Sequence, residues 1–310
     1  MNNSNEFDLS ELQRLALVEL SAANVLGGSQ GKKPRRSQKD ATYRQRAKEA
    51  QARYENFKRN IDVEDADKRF VFHIYQVCSD TFPDMEAAHL TRLIYLATFL
   101  NYDNNIVTPN GKPMNKAMVQ KQLMLKDPQF YRFWNDMVKK KILLVGETAI
   151  SLNESIFFRG STASVKKRCG QNGTTFTRLY IHGIRELYEK STTSSHKTLS
   201  YMFRILPYVS HKFNVVCSNP YETNSELVQP MFAQEIAEAI GYEKHNISAL
   251  MRKLINTTFI VDGKEMGAVG IVSSYLAAGN KSEMFINPKV YYAGDAHDEV
   301  RILKIFFKAR

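Results

Sequence analysis

The sequence predicts an α+β fold, and three observations in its 310 residues support that prediction. Residues 115–160 carry the periodicity of two short helices followed by two strands. The apolar pattern of residues 69–107 returns without a gap in residues 178–216, at an offset of 109. An N-x-x-[IV]-[FY]-[FY]-x-G pattern occurs at 153–160 and again at 287–294. Two copies of one small module are the most economical account of this repetition.

The first copy has the pattern of a helix, a turn, a helix and a hairpin. Asn115 is predicted to cap the first helix, and Asp127 with Pro128 to start the second. In the second helix five apolar residues recur at helical spacing and are expected to face a core: Phe130, Phe133, Trp134, Met137 and Val138. A strand at 142–145, a tip at 146–148 and a returning strand at 149–158 follow. This order is that of the winged helix-turn-helix, whose second helix enters the major groove of DNA.

The second copy is predicted to repeat this plan over a longer stretch. Before its helix pair, the first copy is expected to have a strand at 69–77, a helix at 87–101 and a short strand at 106–107. The second copy is expected to begin in the same way, with a strand at 176–183, a helix at 196–211 and a short strand at 215–217. It should continue with helices at 231–240 and 243–256, a strand at 258–261, a turn at Asp262-Gly263 and a wing strand returning at 283–291. The 25 residues by which the two offsets differ are expected to form loop. His73 and His182 are expected at equivalent strand positions, as structural residues.

Two further segments precede the repeat. Residues 7–26 are predicted to form an amphipathic helix whose apolar stripe either docks on the rest of the chain or mediates a homodimer, and residues 27–31 are a glycine-rich break. Residues 32–60 hold eleven Lys or Arg against three Asp or Glu, which indicates a solvated linker helix or, as we favour, an arm that follows phosphates. The predicted division is therefore 1–31, a basic arm at 32–62, a first winged-helix domain at 63–165 and a second at 174–310 that ends in an amphipathic helix.

The charge of the chain favours a polyanionic partner. Its formal net charge is +11 and its pI is about 9.4, with no long apolar span or basic amphipathic anchor to suggest a membrane. Three widely spaced cysteines suggest neither a zinc cluster nor a disulfide framework, and the acidic N-terminus is unlike a secretory signal, so we expect a cytoplasmic protein. The candidate DNA-binding residues are Lys32, Lys33, Arg35, Arg36, Arg44 and Arg46 in the arm, Lys126, Gln129, Arg132, Asn135 and Lys139 in the first copy, Lys166, Lys167 and Arg168 in the loop 161–175, and Lys244, His245, Ser248, Arg252 and Lys264 in the second copy.

The sequence carries no motif for catalysis. G-x-x-x-x-G-K-[ST], G-x-G-x-x-G after a strand and H-E-x-x-H are all missing, and the seven histidines stand singly. We therefore expect no enzymatic activity, no cofactor and no metal.

Three segments resemble a known group of proteins. RLIYLATFLNYDNN, FYRFWNDMVKKKIL and MFINPKVYYAG are similar to the winged-helix replication proteins and regulators of Firmicute phages and plasmids, in which a wing strand ends in an Asn-Pro signature. Glu154 stands where that signature has proline, and the duplication departs from members with one module. Tandem winged helices with a basic arm are also similar to iteron-binding plasmid initiators, which implies a protein that marks an origin without cutting it.

The predicted function is sequence-specific binding of double-stranded DNA without catalysis, with replication initiation or its control as the leading role. A transcriptional regulator of a phage or mobile element binds DNA in the same way and stays open as an alternative. An adaptor that uses its winged helices to hold protein partners is an alternative of a different class. Double-stranded DNA is the expected partner, with host replication or transcription proteins as further candidates.

Overall fold

The computed structural model describes residues 70–74, 85–160, 176–261, 263–274, 281–292 and 307. Over these residues the protein is α+β, with short helices and small antiparallel sheets. Below, residues 70–160 are the first half and residues 176–292 the second half. The predicted N-terminal helix, the basic arm, the loop 161–175 and all of the predicted C-terminal helix except Phe307 lie outside the described residues.

The first half contains three helices and four strands in the described residues. They are β1 (Phe70–Ile74), α1 (Ala87–Ala97), α2 (Lys116–Gln122), α3 (Asp127–Lys139), β2 (Leu143–Val145), β3 (Ile150–Leu152) and β4 (Phe157–Phe158). The predicted order of helix, turn, helix and two-stranded hairpin is therefore present between Lys116 and Leu152.

The second half has a similar order with two additions, a helix at Ile181–Glu189 and a hairpin formed by the strands Thr258–Val261 and Lys264–Gly267. Its elements are β5 (Phe176–Tyr180), α4 (Ile181–Glu189), α5 (His196–Ile205) with a 3-10 turn at Leu206–Tyr208, α6 (Ala233–Ala239), a 3-10 turn at Lys244–Asn246, α7 (Ile247–Ile255), β6 (Thr258–Val261), β7 (Lys264–Gly267), β8 (Val269–Ser274), β9 (Lys281–Ile286) and β10 (Tyr291–Tyr292). Helices α6 and α7 correspond to α2 and α3.

One sheet joins the two halves. Its strand order is β10-β5-β1-β4, and every neighbouring pair is antiparallel. Each half thus contributes its opening strand to the centre and its closing strand to the edge. Residues 69–310 form a single compact unit, so the predicted boundaries 63–165 and 174–310 stay predictions about a chain whose halves are hydrogen-bonded together.

The sheet register relates the halves by an approximate twofold axis. Phe72 pairs with Arg178 across the β1–β5 junction. On the outer side Phe72 pairs with Phe158, and Arg178 pairs with Tyr292. Phe158 and Tyr292 occupy the same place in the repeated N-x-x-[IV]-[FY]-[FY]-x-G pattern. The axis therefore passes between Phe72 and Arg178.

A buried asparagine holds the same junction in each half. Asn104 Nδ2 donates to the carbonyls of Leu152 and Phe157, at 2.8 and 3.0 Å. Asn214 Nδ2 donates to the carbonyls of Ile286 and Tyr291, at 2.7 and 2.9 Å. Both residues have a left-handed backbone, with φ of 60° and 55°, a conformation that asparagine tolerates better than most residues. Each side chain thus joins its loop to the last residue of one strand, β3 or β9, and to the first residue of the next, β4 or β10.

The gapless alignment of the two copies is wrong at two places. The twofold sheet matches Phe72 rather than Arg69 with Arg178, and the buried asparagines match Asn104 rather than Asn105 with Asn214. Between these places the offset of 109 holds. Leu100 and Val209 are equivalent at that offset, because each forms an isolated bridge, Leu100 with Ile106 and Val209 with Val216. The shift is three residues at the first place and one residue at the second, and the apolar pattern alone does not reveal such short insertions.

Helices α1 and α5 pack against each other across the junction. Thr91 Oγ1 donates to the carbonyl of His196 at 2.8 Å, and Arg204 donates to the carbonyl of Met85 at 2.7 Å. The ring of Tyr188 on α4 stacks on Tyr95, with centroids 3.8 Å apart. The two halves therefore share one buried core.

Several predicted element ends are corrected. The strand predicted at 176–183 ends at Tyr180, because Ile181, Ile184 and Leu187 recur at helical spacing and are buried on α4. His182 is therefore an exposed helical residue and not the strand equivalent of His73. The helices predicted at 87–101, 196–211, 231–240 and 243–256 are shorter: α1, α5, α6 and α7 span 87–97, 196–205, 233–239 and 247–255.

The predicted wings are also corrected. The strand predicted at 149–158 is broken by a turn at Asn153, whose Oδ1 accepts from the backbone and hydroxyl of Ser155. In the second half β6 and β7 form an additional hairpin, and the pair equivalent to β2–β3 is β8–β9. The equivalence follows from Asn153, whose backbone N–H donates to Ile142, and Asn287, whose backbone N–H donates to Ala268. Part of the predicted extra loop is thus strand.

Candidate nucleic-acid interface

Local sequence signals set the position of α3. Asn115 Oδ1 accepts from the backbone of Met118 at 2.9 Å and so caps α2. Met124 turns the chain with a φ of 52°, and Pro128 lies in the first turn of α3. Gln120 of α2 donates to Asp127 at 2.6 Å, which fixes the start of α3 against the preceding helix. The helix pair is thus a single rigid unit.

The polar outer face predicted for α3 is present. Phe130, Phe133, Trp134 and Met137 are buried, as predicted. Val138 was predicted to be buried as well, and this is wrong, because its side chain is 38% exposed on the flank of the helix. The predicted DNA-binding side chains of this half are all exposed: Lys126, Gln129, Arg132, Asn135 and Lys139.

Asp136 is turned away from that face by its partners. Its Oδ2 lies 2.9 Å from Nδ1 of the buried His89 on α1, and its Oδ1 lies 3.3 Å from Nζ of Lys140. The carboxylate is half-buried. Its charge therefore does little to oppose a polyanion at the outer face of α3.

The guanidinium of Arg92 on α1 interacts electrostatically with Arg132 of α3. Arg92 of α1 is buried, and desolvation lowers the pKa of its guanidinium, with the charge of Arg132 lowering that pKa further. Glu86 and Tyr188 act in the opposite direction. Arg132 therefore lies close enough to Arg92 for the two positive charges to repel each other.

The helix pair and the hairpin of the first half also carry exposed apolar side chains. They are Met118 on α2, Met124 in the turn, Tyr131 and Val138 on α3, and Leu144 and Val145 on β2. Lys116 Nζ lies 4.7 Å from the ring centroid of Tyr131 and 5.1 Å from that of Trp134. The ammonium group thus holds one face of the Tyr131 ring in place.

The second half presents a smaller set of functional side chains. Ser248 and Arg252 are exposed on successive turns of α7, and Lys264 is exposed at the start of β7. His245 is exposed in the preceding 3-10 turn, where its Nε2 lies 3.3 Å from Glu243. Lys244 belongs to the same turn, and its side chain lies outside the described residues.

Charge differs sharply between the two helix pairs. Residues 116–147 contain seven Lys or Arg against three Asp or Glu, whereas residues 233–264 contain four of each. Lys253 of α7 lies over the rings of Tyr201 and Tyr242, 5.8 Å from each centroid, and so contributes less to the outer face. The segment that contains α2 and α3 therefore has a net positive charge, and the segment that contains α6 and α7 has none.

The predicted site residues fall into three groups. Those of α3 share one exposed face, and Ser248 with Arg252 share another on α7. The arm residues Lys32, Lys33, Arg35, Arg36, Arg44 and Arg46 and the loop residues Lys166, Lys167 and Arg168 lie outside the described part of the chain. Sequence reasoning missed Tyr131 and Val138 as surface residues, although their seven-residue spacing around Asn135 was visible.

Comparisons with known proteins add no identification. No family model, curated protein or solved structure matches the chain. Among the described residues, no helix is long and apolar enough to cross a membrane. The same residues contain no group of three or more His, Cys, Asp or Glu that could hold a metal ion.

Proposed function

We propose that the protein is a sequence-specific double-stranded DNA-binding protein built from two winged helix-turn-helix modules, and that it is a replication initiator or replication-control protein of a phage or plasmid. The observation that carries the proposal is the exposed face of α3, where Arg132, Asn135 and Lys139 lie opposite a buried apolar side. These are the side-chain types that read base edges and contact phosphates.

The module assignment is supported by a similar order in both halves. Helices α2 and α3 are followed directly by the β2–β3 hairpin, whereas α6 and α7 are followed first by the additional β6–β7 hairpin and then by β8–β9, the equivalent of β2–β3. In each case the second helix has a buried apolar side and an exposed polar side. A helix of this kind beside a two-stranded hairpin is suited to binding in the major groove.

The shared sheet gives the proposal a geometric consequence. The β1–β5 pairing and the packing of α1 against α5 join the two halves, so α3 and α7 belong to one compact unit. A single chain would therefore contact two segments of duplex at a fixed separation. The exposed apolar residues of the first half favour one other candidate, an adaptor that binds a protein partner there.

Selection of genomic fragments by the full chain, followed by footprinting, tests the proposal. We expect protection of defined sites, clustered at an origin of replication. Protection over promoters instead would support the transcriptional regulator. Retention of no duplex above the level of a random-sequence control would reject DNA binding and leave the adaptor.

A further inference from the structure

Three exposed residues form a stripe along α3 that differs chemically from its cationic neighbours. Tyr131 is 48% exposed, Val138 is 38% exposed, and Asn135 lies exposed between them at helical spacing. Seven residues of α-helix span about 10 Å, which is the length of roughly three base pairs of duplex DNA. The stripe therefore matches a short run of bases in one groove.

The chemistry of the stripe fits adenine and thymine. A carboxamide can both accept from N6 and donate to N7 of adenine, whereas an apolar group gains by covering the C5-methyl group of thymine. Guanine and cytosine offer no methyl group in the major groove. Tyr131 and Val138 on either side of Asn135 would thus be useful against A·T pairs and of little use against G·C pairs.

The surroundings of the stripe favour DNA as its occupant. Arg132 and Lys139 run parallel to it on the same helix, and Lys126 lies at the start of the helix, all exposed. Asp136, the acidic residue within this part of the helix, is already paired with His89 and Lys140. The excess of four positive charges over residues 116–147 places the apolar groups inside a cationic surface.

The corresponding helix of the second half lacks such a stripe. On α7 the residues at equivalent outward positions are Ser248 and Arg252, and Ile247, Met251 and Ile255 are only partly exposed. Arginine pairs most readily with guanine, and serine accepts several bases. The two halves thus have different base preferences built into the same backbone plan.

We propose that α3 reads about three A·T base pairs, with Tyr131 and Val138 covering thymine methyl groups and Asn135 contacting an adenine edge. This inference rests on the proposed function and assigns the base class recognised by one of its two helices. The complete site is then asymmetric, with an A·T-rich segment under α3 and a guanine under α7.

Base analogues test the proposal atom by atom. The full chain is first used to select its preferred duplex from a random library. Each thymine of that duplex is then replaced by uracil, which removes only the methyl group, and each adenine by 7-deazaadenine, which removes N7. We expect uracil to weaken binding about fourfold at one or two positions, the effect of exposing one methyl-sized group to water.

Variants then assign each effect to a side chain. The Val138→Ala or Tyr131→Ser protein is expected to bind the thymine and uracil duplexes equally at the position that its side chain covers. Asn135→Ala is expected to lose its response to 7-deazaadenine in the same way. Leu227→Ser, at a side chain that is 58% exposed and lies outside both helix pairs, is the control and should keep both responses at wild-type strength.

The outcomes separate this inference from the proposed function. Tight, specific binding without any analogue effect that depends on α3 overturns the A·T assignment and leaves DNA binding intact. Failure to select any duplex overturns both. Unchanged DNA affinity with altered self-association in Tyr131→Ser and Val138→Ala would show that the stripe is a protein contact. Because all three side chains are exposed, thermal unfolding should be little changed and serves as the folding check.

Discussion

Helices α3 and α7 hold equivalent places in the two halves, yet their exposed surfaces differ in charge and in apolar content. The first carries Arg132 and Lys139 beside the exposed Tyr131 and Val138, whereas the second carries Arg252 beside small polar residues. The buried asparagines and the register of the shared sheet are the same in both. The two halves thus share these interior features and differ in their outer faces, so equivalence in fold does not give equivalence in function.

The largest expected effect tests the part of the comparison that is shared. Asn104→Ala and Asn214→Ala each remove two hydrogen bonds to buried carbonyls and place alanine at a left-handed φ. We expect each to lower the free energy of unfolding by about 2–4 kcal/mol, as measured by chemical denaturation.

Glycine provides the control for the backbone at these sites. Asn104→Gly and Asn214→Gly lose the amide but accept the left-handed conformation, so each should be less damaging than the alanine variant. A loss below about 0.5 kcal/mol in one half alone, the size of an ordinary surface substitution, would contradict the structural equivalence of the two junctions.

The second prediction concerns the surfaces that differ. Arg132→Ala and Arg252→Ala should each cost about 1–3 kcal/mol of binding free energy where the guanidinium reads a base, with the loss confined to the selected duplex. Equal losses on selected and random duplex would instead mark a phosphate contact.

Paired substitutions sharpen that test. Because the first half has the greater positive charge, Arg132→Ala with Lys139→Ala should weaken binding more than Arg252→Ala with Lys264→Ala. For every phosphate that the variant no longer neutralises, the slope of log K against log salt should become shallower by roughly 0.9. A greater loss of affinity from the second pair would reverse our ranking of the two helices.

A third prediction uses the buried histidine at the junction of the halves. Burial, together with the charge of Arg92, lowers the pKa of His196 to about 4 from 6.5. The unfolded chain therefore binds a proton that the folded chain excludes in this range. The stability that comes from burying His196 as a neutral imidazole is fully present above about pH 6.5 and is lost as the pH falls toward 4.

The quantity to measure is the slope of the unfolding free energy against pH. One such proton corresponds to roughly 1.4 kcal/mol of unfolding free energy per pH unit. Burial also lowers the pKa of His73 to about 3 and that of His211 to about 4, so wild type should show contributions from all three residues. His196→Asn should be less stable near neutral pH but less sensitive to acid, and an unchanged slope would contradict the burial of a neutral imidazole.

The smallest predicted effect probes the support of the first helix pair by the second half. Tyr188 of α4 donates from its hydroxyl to the carbonyl of Leu123, at the turn between α2 and α3, at 2.9 Å. Tyr188→Phe should cost about 1 kcal/mol of stability, measured by thermal or chemical unfolding. Tyr102→Phe, at a side chain that is 72% exposed, should have almost no effect.

Local signals made the helix pair of the first half predictable. Asn115 and Pro128 are strong markers of helix starts, and the apolar spacing of Phe130, Phe133 and Met137 gives the buried side of α3. The outward direction of Arg132 and Asn135 follows from that spacing alone.

Long-range pairing explains what could not be predicted. The two-residue strands β4 and β10 have no periodicity to detect, and the β1–β5 pairing joins residues that the repeat pattern alone assigns to separate modules. The exposure of Val138 depends on which elements pack beside α3, which its own spacing does not specify. The β6–β7 hairpin was mistaken for part of the wing because Asp262-Gly263 is an equally good turn signal in either arrangement.

Hydroxyl-radical footprinting of the full chain on its selected duplex tests the central claim most directly. We predict two protected segments on one duplex at a constant separation, because the shared sheet joins the half that carries α3 to the half that carries α7. Arg132→Ala should weaken protection of one segment and Arg252→Ala that of the other. Protection that is absent on every duplex, or that is unchanged in both variants, would contradict DNA recognition by these two helices.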